Sequence, residues 1–105
     1  MDFKELEERV VSFRDARGWA EYHTPKNLAV SVAVELGELL EHFQWEDDAE
    51  ILEAAKDPAK KEAIADEIAD VIIYLALLSH ELGIDLDEAV ERKLMKNGEK
   101  YPVRT

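Results

Sequence analysis

The sequence predicts an all-α protein, and three observations carry the prediction. Apolar residues recur every three or four positions along several long segments, which is the period of an amphipathic α-helix. A helix-capping residue is followed by proline at Thr24-Pro25 and again at Asp57-Pro58, a pair typical of a helix start. No segment alternates apolar and polar residues as a half-buried strand does, so no sheet is expected.

Four long helices are predicted within a single domain that spans residues 1–105. The first and third end at Gly18 and Gly83, since glycine readily takes the left-handed conformation that follows a helix. The fourth begins at Asp85, where Glu88 three residues later resembles a capping box. Residues 46–56 are polar and are expected to form either a loop or a short helix. The predicted helices cover residues 2–17, 25–44, 58–82 and 85–97.

Composition and charge exclude several classes of protein. Of the 105 residues, 47% are hydrophobic and 36% are charged, a balance typical of a globular chain. The net charge of −12 would repel a nucleic acid, and no cysteine is present to form a disulfide or a thiolate metal site. The N-terminus lacks the apolar core of a signal peptide, and the longest apolar run, Val71–Leu78, is too short to span a bilayer. We therefore expect a cytoplasmic protein without a nucleic-acid or membrane partner.

The third predicted helix is apolar on every side. Its residues 71–78 cover the whole circumference, and a helix of that kind must be buried all round. Three partner helices from one small chain can hardly surround it. We therefore expect an oligomer with this helix in the interface, although residues 46–56 of the same chain are an alternative cover.

Two pairs of acidic residues stand at helical spacing inside apolar faces. Glu35 and Glu38 lie on the second predicted helix, and Glu67 and Asp70 lie on the third. Residues three apart are neighbours on a helix surface, so each helix offers one carboxylate pair. A buried, ionised carboxylate must pair with a cation or become protonated. Two pairs face to face would form an oxygen-only cage of the kind that suits Mg²⁺, with Mn²⁺ as a substitute.

Ordinary ion pairs are the alternative to a metal. A single buried carboxylate usually pairs with a neighbouring basic side chain, but four buried carboxylates would need several buried basic side chains. Glu53, Glu62 and Glu81 are expected to be ordinary surface charges. The basic residues that could pair with the four acids are Arg9, Arg14, Arg17 and Lys93.

The spacing of histidines argues against a di-iron centre. Such centres use Glu-x-x-His on two helices, but His42 follows Glu38 by four positions, and Ile73 stands three positions after Asp70. A carboxylate site without histidine favours Mg²⁺, which typically serves phosphate substrates.

Several polar and aromatic residues near these acids could hold a nucleotide. The stretch from Arg92 to Thr105 carries five basic side chains and one acidic side chain. It is the best local candidate for binding phosphate oxygens. Trp19, His23 and Trp45 lie close to the ends of the second predicted helix, and Asn27 and Ser31 lie on its side nearest Glu35.

Motifs across nearly the whole chain match one family in their order. They are Phe13-Arg14 to Trp19, His23 to Leu28, Glu35 to Leu39, Phe43-Gln44-Trp45, Glu67 to Leu75, and Lys93, Asn97 and Lys100-Tyr101-Pro102. With them the sequence resembles the all-α nucleoside triphosphate pyrophosphohydrolases of the MazG type, and above all their small dCTP-pyrophosphatase branch. One departure is Val34, because many relatives carry a further glutamate at that position.

The resemblance implies an Mg²⁺-dependent enzyme that splits a nucleoside triphosphate, such as dCTP or a related pyrimidine nucleotide, into monophosphate and pyrophosphate. It implies a four-helix bundle assembled as a dimer or a dimer of dimers, with sites at subunit contacts. Glu38 or Glu41 is expected to activate the attacking water. The implied metal ligands are Glu35, Glu38, Glu67 and Asp70, and the implied substrate-binding residues are Trp19, His23, Asn27, Trp45, Tyr74, Lys93, Asn97, Lys100 and Tyr101.

Two alternative functions stay open at this point. Phosphoribosyl-ATP pyrophosphohydrolase shares the superfamily, although Phe43-Gln44-Trp45 and His23 favour the dCTP branch. A non-catalytic helical module that binds a basic partner through its acidic residues is the other.

Overall fold

The computed structural model describes residues 2–104, and helices account for most of them. No strand occurs within this range, which confirms the all-α prediction. A fifth α-helix forms within residues 46–56, the polar segment that was expected to be either a loop or a short helix. The elements are α1 (Phe3–Ala16), a short 3-10 helix (Ala20–Tyr22), α2 (Pro25–Glu41), α3 (Asp48–Ala54), α4 (Pro58–Glu81) and α5 (Leu86–Lys100).

The helices begin where the capping residues predict. The side chains of Thr24, Asp57 and Asp85 each accept a hydrogen bond from a backbone N–H in the first turn, at 3.1–3.2 Å. The full capping box lies at α3 instead, where the side chains of Asp47 and Glu50 each accept from the other's backbone N–H. These bonds satisfy N–H groups that have no partner inside the helix.

Two helices end as predicted and two do not. Gly18 and Gly83 follow α1 and α4 with φ of +67° and +66°, as expected of glycine after a helix. The second predicted helix, however, ends at Glu41 and not at residue 44. The last helix runs through Gly98 to Lys100, because that glycine keeps a negative φ and Pro102 is the first residue that cannot continue the helix.

The helix α4 is the centre of the packing. It packs most extensively against α2 and then against α1, and α1 also contacts α5. Leu28 of α2 and Ala76 and Leu77 of α4 form the buried apolar core. None of the helices within residues 2–104 combines the length and apolarity needed to cross a membrane.

The fold is open and leaves apolar side chains of α2 and α4 uncovered. Its radius of gyration is 16.8 Å, against about 13 Å for a compact domain of this length. It exposes 8100 Å², against roughly 6,000 Å² for a compact monomer of this size. The large apolar side chains Val30 and Val34 on α2 and Ile68, Ile72 and Leu75 on α4 are each more than 40% exposed. We call these five residues the open face. The helix α3 does not cover the α4 residues of this face, so residues 46–56 are not the alternative cover considered above.

Candidate metal centre and adjoining cavity

The packing of α2 against α4 brings the two acidic pairs together. Carboxylate oxygens of Glu35, Glu38 and Glu67 all lie within 4.8 Å of one another. Glu35 and Glu67 are half-buried, whereas Glu38 is exposed. Three carboxylates at this separation repel one another strongly unless a cation or a proton lies between them.

Asp70 lies beside this cluster, not within it. It lines the cavity that adjoins the cluster, and its charge acts on Glu35. The predicted cage of four carboxylates is therefore three clustered acids with a fourth at the cavity wall.

No basic side chain compensates the cluster. The ion pairs found among residues 2–104 include none of Glu35, Glu38, Glu67 and Asp70. One carboxylate oxygen of Glu35 and one of Glu67 are buried without a hydrogen-bond partner in the described part of the chain. Arg14, one of the basic residues considered as a partner, is engaged elsewhere. The ion-pair alternative therefore fails for these acids, and buried oxygens without a partner fit metal ligation.

The donor atoms also indicate which cation fits. All three clustered residues offer carboxylate oxygen, and no histidine belongs to the cluster that the described residues form. Hard divalent cations such as Mg²⁺ and Mn²⁺ prefer such ligands, whereas di-iron centres add histidine.

Without a cation, the cluster favours the protonated form of Glu35. Burial and the neighbouring carboxylates Glu38, Glu67 and Asp70 raise the pKa of Glu35 from its ordinary value of 4.5 to about 7. At neutral pH the metal-free cluster therefore shares a proton for part of the time. A cation that enters must displace it, so binding is expected to release a proton.

Glu35 should make the metal-free chain less stable as the pH rises. Between pH 4.5 and about pH 7, Glu35 keeps a proton in the folded state that it has lost in the unfolded state. The stabilisation from this proton is fully present below the pKa that Glu35 has in the unfolded state, and it is lost as the pH rises through the pKa of Glu35 in the folded state. Thermal unfolding followed by circular dichroism should give a lower Tm at about pH 8 than at about pH 6.

Glu35→Gln provides the comparison, because it keeps the size of the side chain and removes the titration. We expect its Tm to change less with pH than that of the wild type, while Glu62→Gln on the exposed surface of α4 behaves like the wild type. Mg²⁺ at a hundred times its Kd should stabilise the wild type by about 2.7 kcal/mol and Glu35→Gln far less. An equal pH slope in all three chains would contradict the assignment.

A cavity of about 780 Å³ lies between α1 and α4 and adjoins the cluster through Asp70. Its volume is in the range of small-molecule sites. Its wall combines aromatic and aliphatic side chains with charged and polar ones. The apolar residues are Leu6, Val10, Phe13, Trp19, Ile73, Tyr74 and Leu77, and the charged and polar residues are Asp2, Glu5, Arg9, Arg14, His23 and Asp70.

Arg17 orders the aromatic wall from outside. Its guanidinium stacks 3.4 Å from the ring centroid of Phe13 and donates a hydrogen bond to the backbone oxygen of that residue at 2.9 Å. Phe13 in turn meets Trp19 edge to face, with ring centroids 5.9 Å apart. The edge-to-face contact leaves the two ring planes 68° apart, so a base could stack on one of these rings but not on both.

The structure corrects the reading of Glu81 as plain surface charge. Glu81 is exposed, with 28% of its side chain accessible, but it accepts a hydrogen bond from Nη1 of Arg14 at 2.5 Å. Arg14 is only 5% exposed, which makes it the buried cation of the protomer core. Sequence reasoning missed this pair, although Arg14 follows Val10 by four positions and so lies on the apolar stripe of α1.

The predicted substrate-binding residues fall into two groups. Trp19, His23 and Tyr74 line the cavity. Asn27 lies outside it and donates a hydrogen bond from Nδ2 to the backbone oxygen of Tyr22 at 3.1 Å. Five more also lie outside the cavity wall: Trp45, which is 85% exposed, Lys93, Asn97, Lys100 and Tyr101. Glu41, the alternative water-activating residue, is the exposed last residue of α2.

Comparison with known proteins establishes the family. The sequence profile of the MazG-like family matches residues 30–105. The chain belongs to the MazG-like family. A solved pyrophosphatase from Archaeoglobus fulgidus has the same fold with a TM-score of 0.86 and 47% sequence identity, over 98% of this chain and 94% of that one. The MazG-like resemblance expected from the motifs is therefore confirmed.

Two mammalian relatives of this MazG-like chain carry a named substrate. The rat dCTP pyrophosphatase 1 is 41% identical over 91 residues, which cover 87% of this chain and 54% of the rat protein. The human dCTP pyrophosphatase 1 is 38% identical over 90 residues, which cover 86% of this chain and 53% of the human protein. The chain thus spans about half the length of these curated relatives.

Proposed function

We propose that this chain hydrolyses a nucleoside triphosphate to the monophosphate and pyrophosphate in the presence of a divalent cation, with dCTP as its first candidate substrate. One observation carries the proposal: an uncompensated carboxylate cluster adjoins a cavity of nucleoside size. A pyrophosphatase of 47% identity and the dCTP-specific names of the mammalian relatives support it.

In this mechanism Glu35, Glu38 and Glu67 hold the cation, and Asp70 completes the site from the cavity side. When bound there, Mg²⁺, or Mn²⁺ in its place, would supply positive charge for the triphosphate oxygens and would lower the pKa of a water molecule. Glu38 is the exposed member of the cluster and offers one oxygen to the cation, so its other oxygen would orient or deprotonate that water, with Glu41 as the alternative. The cavity would hold the base between Trp19 and Tyr74.

We also propose that a second copy of the chain covers the open face. A protomer that exposes 8100 Å² and has a radius of gyration of 16.8 Å is far from a compact monomer. The predicted substrate-binding residues outside the cavity, Trp45 and those on and just after α5, would then close the site from a neighbouring subunit. Dimer and tetramer both satisfy this requirement.

The products of the reaction test the proposed function. Incubation of the chain with dCTP and Mg²⁺, followed by anion-exchange chromatography, should give dCMP and pyrophosphate, and EDTA should stop the reaction. Formation of dCDP and phosphate would contradict the proposed cleavage. Cleavage of phosphoribosyl-ATP alone would favour the histidine-biosynthesis relative. Absence of any cleavage across canonical and modified nucleotides would favour a non-catalytic module.

A further inference from the structure

Arg14 is a buried cation in the wall of the cavity, and the protein uses only part of its hydrogen-bonding capacity. The side chain is fixed by two carboxylates: Nε donates to Asp15 at 3.0 Å, and Nη1 donates to Glu81 at 2.5 Å. A guanidinium carries five N–H donors. No hydrogen bond from Nη2 to any described residue is present, and Nη1 carries a second N–H, so one N–H from each of these two nitrogens can face a ligand side by side.

His23 lines the same cavity and also has a free polar atom. Its Nδ1 is buried and has no hydrogen-bond partner among residues 2–104. Burial and then the positive charge of Arg14 lower the pKa of His23, although Glu81 opposes this. The imidazole is therefore neutral at neutral pH, and a neutral imidazole can accept a hydrogen bond at one nitrogen.

The distance along α4 from Asp70 to Glu81, the partner of Arg14, is long enough for a nucleoside. Asp70 marks the end of the cavity next to the metal centre, and Leu77 lines it seven residues further along the helix. Seven residues of α-helix span about 10.5 Å. Glu81, the partner of Arg14, lies one turn beyond Leu77. With the triphosphate at the carboxylates, the base would therefore lie at the end where Arg14 and His23 meet.

We propose that Arg14, held in place by Glu81 and Asp15, is the specificity-determining residue of the cavity and reads a base edge that presents two adjacent hydrogen-bond acceptors. This inference rests on the proposed function. Among pyrimidines that edge belongs to cytosine, whose O2 and N3 both accept, whereas N3 of thymine or uracil carries a hydrogen and meets the donors of Arg14 unfavourably. His23 accepts from the exocyclic amine of cytosine. Guanine offers a similar pair at O6 and N7, so the test includes it.

The test compares kcat and KM for dCTP, dTTP and dGTP between the wild type and two variants. Arg14→Met keeps the packing of the stem and removes the donors, whereas Arg14→Lys keeps the charge beside Glu81 but loses the planar fork. We expect Arg14→Met to reduce kcat/KM for dCTP roughly tenfold to a hundredfold, chiefly by raising KM, and to leave dTTP nearly unchanged. Arg14→Lys should be intermediate, and Lys56→Met, which removes an exposed cation that does not line the cavity, should have no effect.

The outcomes separate this inference from the proposed function. An equal loss for all three nucleotides would mean that Arg14 only supports the fold, and a loss confined to dGTP would overturn the assignment to cytosine. If the wild type cleaves no nucleotide, the proposed function fails, and equilibrium binding of dCMP against dTMP then tests Arg14 by itself. If Arg14→Met does not fold by circular dichroism, Arg14→Lys and Glu81→Gln carry the test: an unchanged preference for dCTP over dTTP in both would overturn the inference.

Discussion

Glu67→Gln is expected to reduce the turnover of dCTP by at least about a hundredfold at saturating Mg²⁺. Glu67 supplies one of the three clustered carboxylates, and one of its oxygens is buried without a partner in the described structure. The amide keeps the shape of the side chain but provides a much weaker ligand for a hard cation. Steady-state release of pyrophosphate measures the effect.

The same substitution should leave the metal-free chain at least as stable as the wild type. Removing one of three mutually repelling carboxylates relieves repulsion with Glu35 and Glu38. Loss of activity with retained or higher Tm distinguishes a metal ligand from a residue that supports the fold. Glu62→Gln, an exposed change on the same helix, should keep both activity and stability. Wild-type turnover in folded Glu67→Gln would show that this carboxylate holds no catalytic metal.

Ile72→Arg is expected to convert the protein to monomers and to remove most of its activity. Ile72 lies in the middle of the α4 stripe of the open face and is 42% exposed in the protomer. In an assembly that buries this stripe, an arginine would lose its water without gaining a partner. In the isolated protomer the side chain can still reach water, so the helical content should hardly change. Analytical ultracentrifugation measures the assembly state, and pyrophosphate release measures the activity.

Leu52→Arg on α3 serves as the matched control. Leu52 is 69% exposed and lies on a helix that packs little against the rest of the protomer. Its replacement should leave both assembly and activity unchanged. An Ile72→Arg protein that sediments like the wild type, or a wild type that is monomeric and fully active, would contradict the proposed interface.

Local signals in the sequence predict the framework of the fold well. Helix starts follow from residues such as Thr24 and Asp57, because a side-chain cap acts within one turn and needs no tertiary contact. The i,i+3 spacing of Glu35 and Glu38 likewise predicts that both lie on one side of α2. The meeting of this pair with Glu67 required only that the apolar faces of the two helices pack together.

Features that depend on tertiary contacts were less predictable. The glycine at position 98 reads as a helix end, but its helix continues to Lys100. The ion pair between Arg14 and Glu81 joins residues 67 positions apart, and no local pattern reports such a contact. The division of the substrate-binding residues between the cavity and the exposed surface, as for Trp45, depends on how the helices pack, which no local pattern reports.

The most direct test of the account is an isothermal titration of Mg²⁺ into the chain together with a non-hydrolysable dCTP analogue. The carboxylate cluster predicts saturable binding by the wild type, with release of a proton near neutral pH because Glu35 holds one there. Glu67→Gln should lose this binding, and Glu62→Gln should retain it. Failure of the wild type to bind Mg²⁺ in the presence of the nucleotide, or equal binding by Glu67→Gln, would contradict a metal-dependent site at these residues.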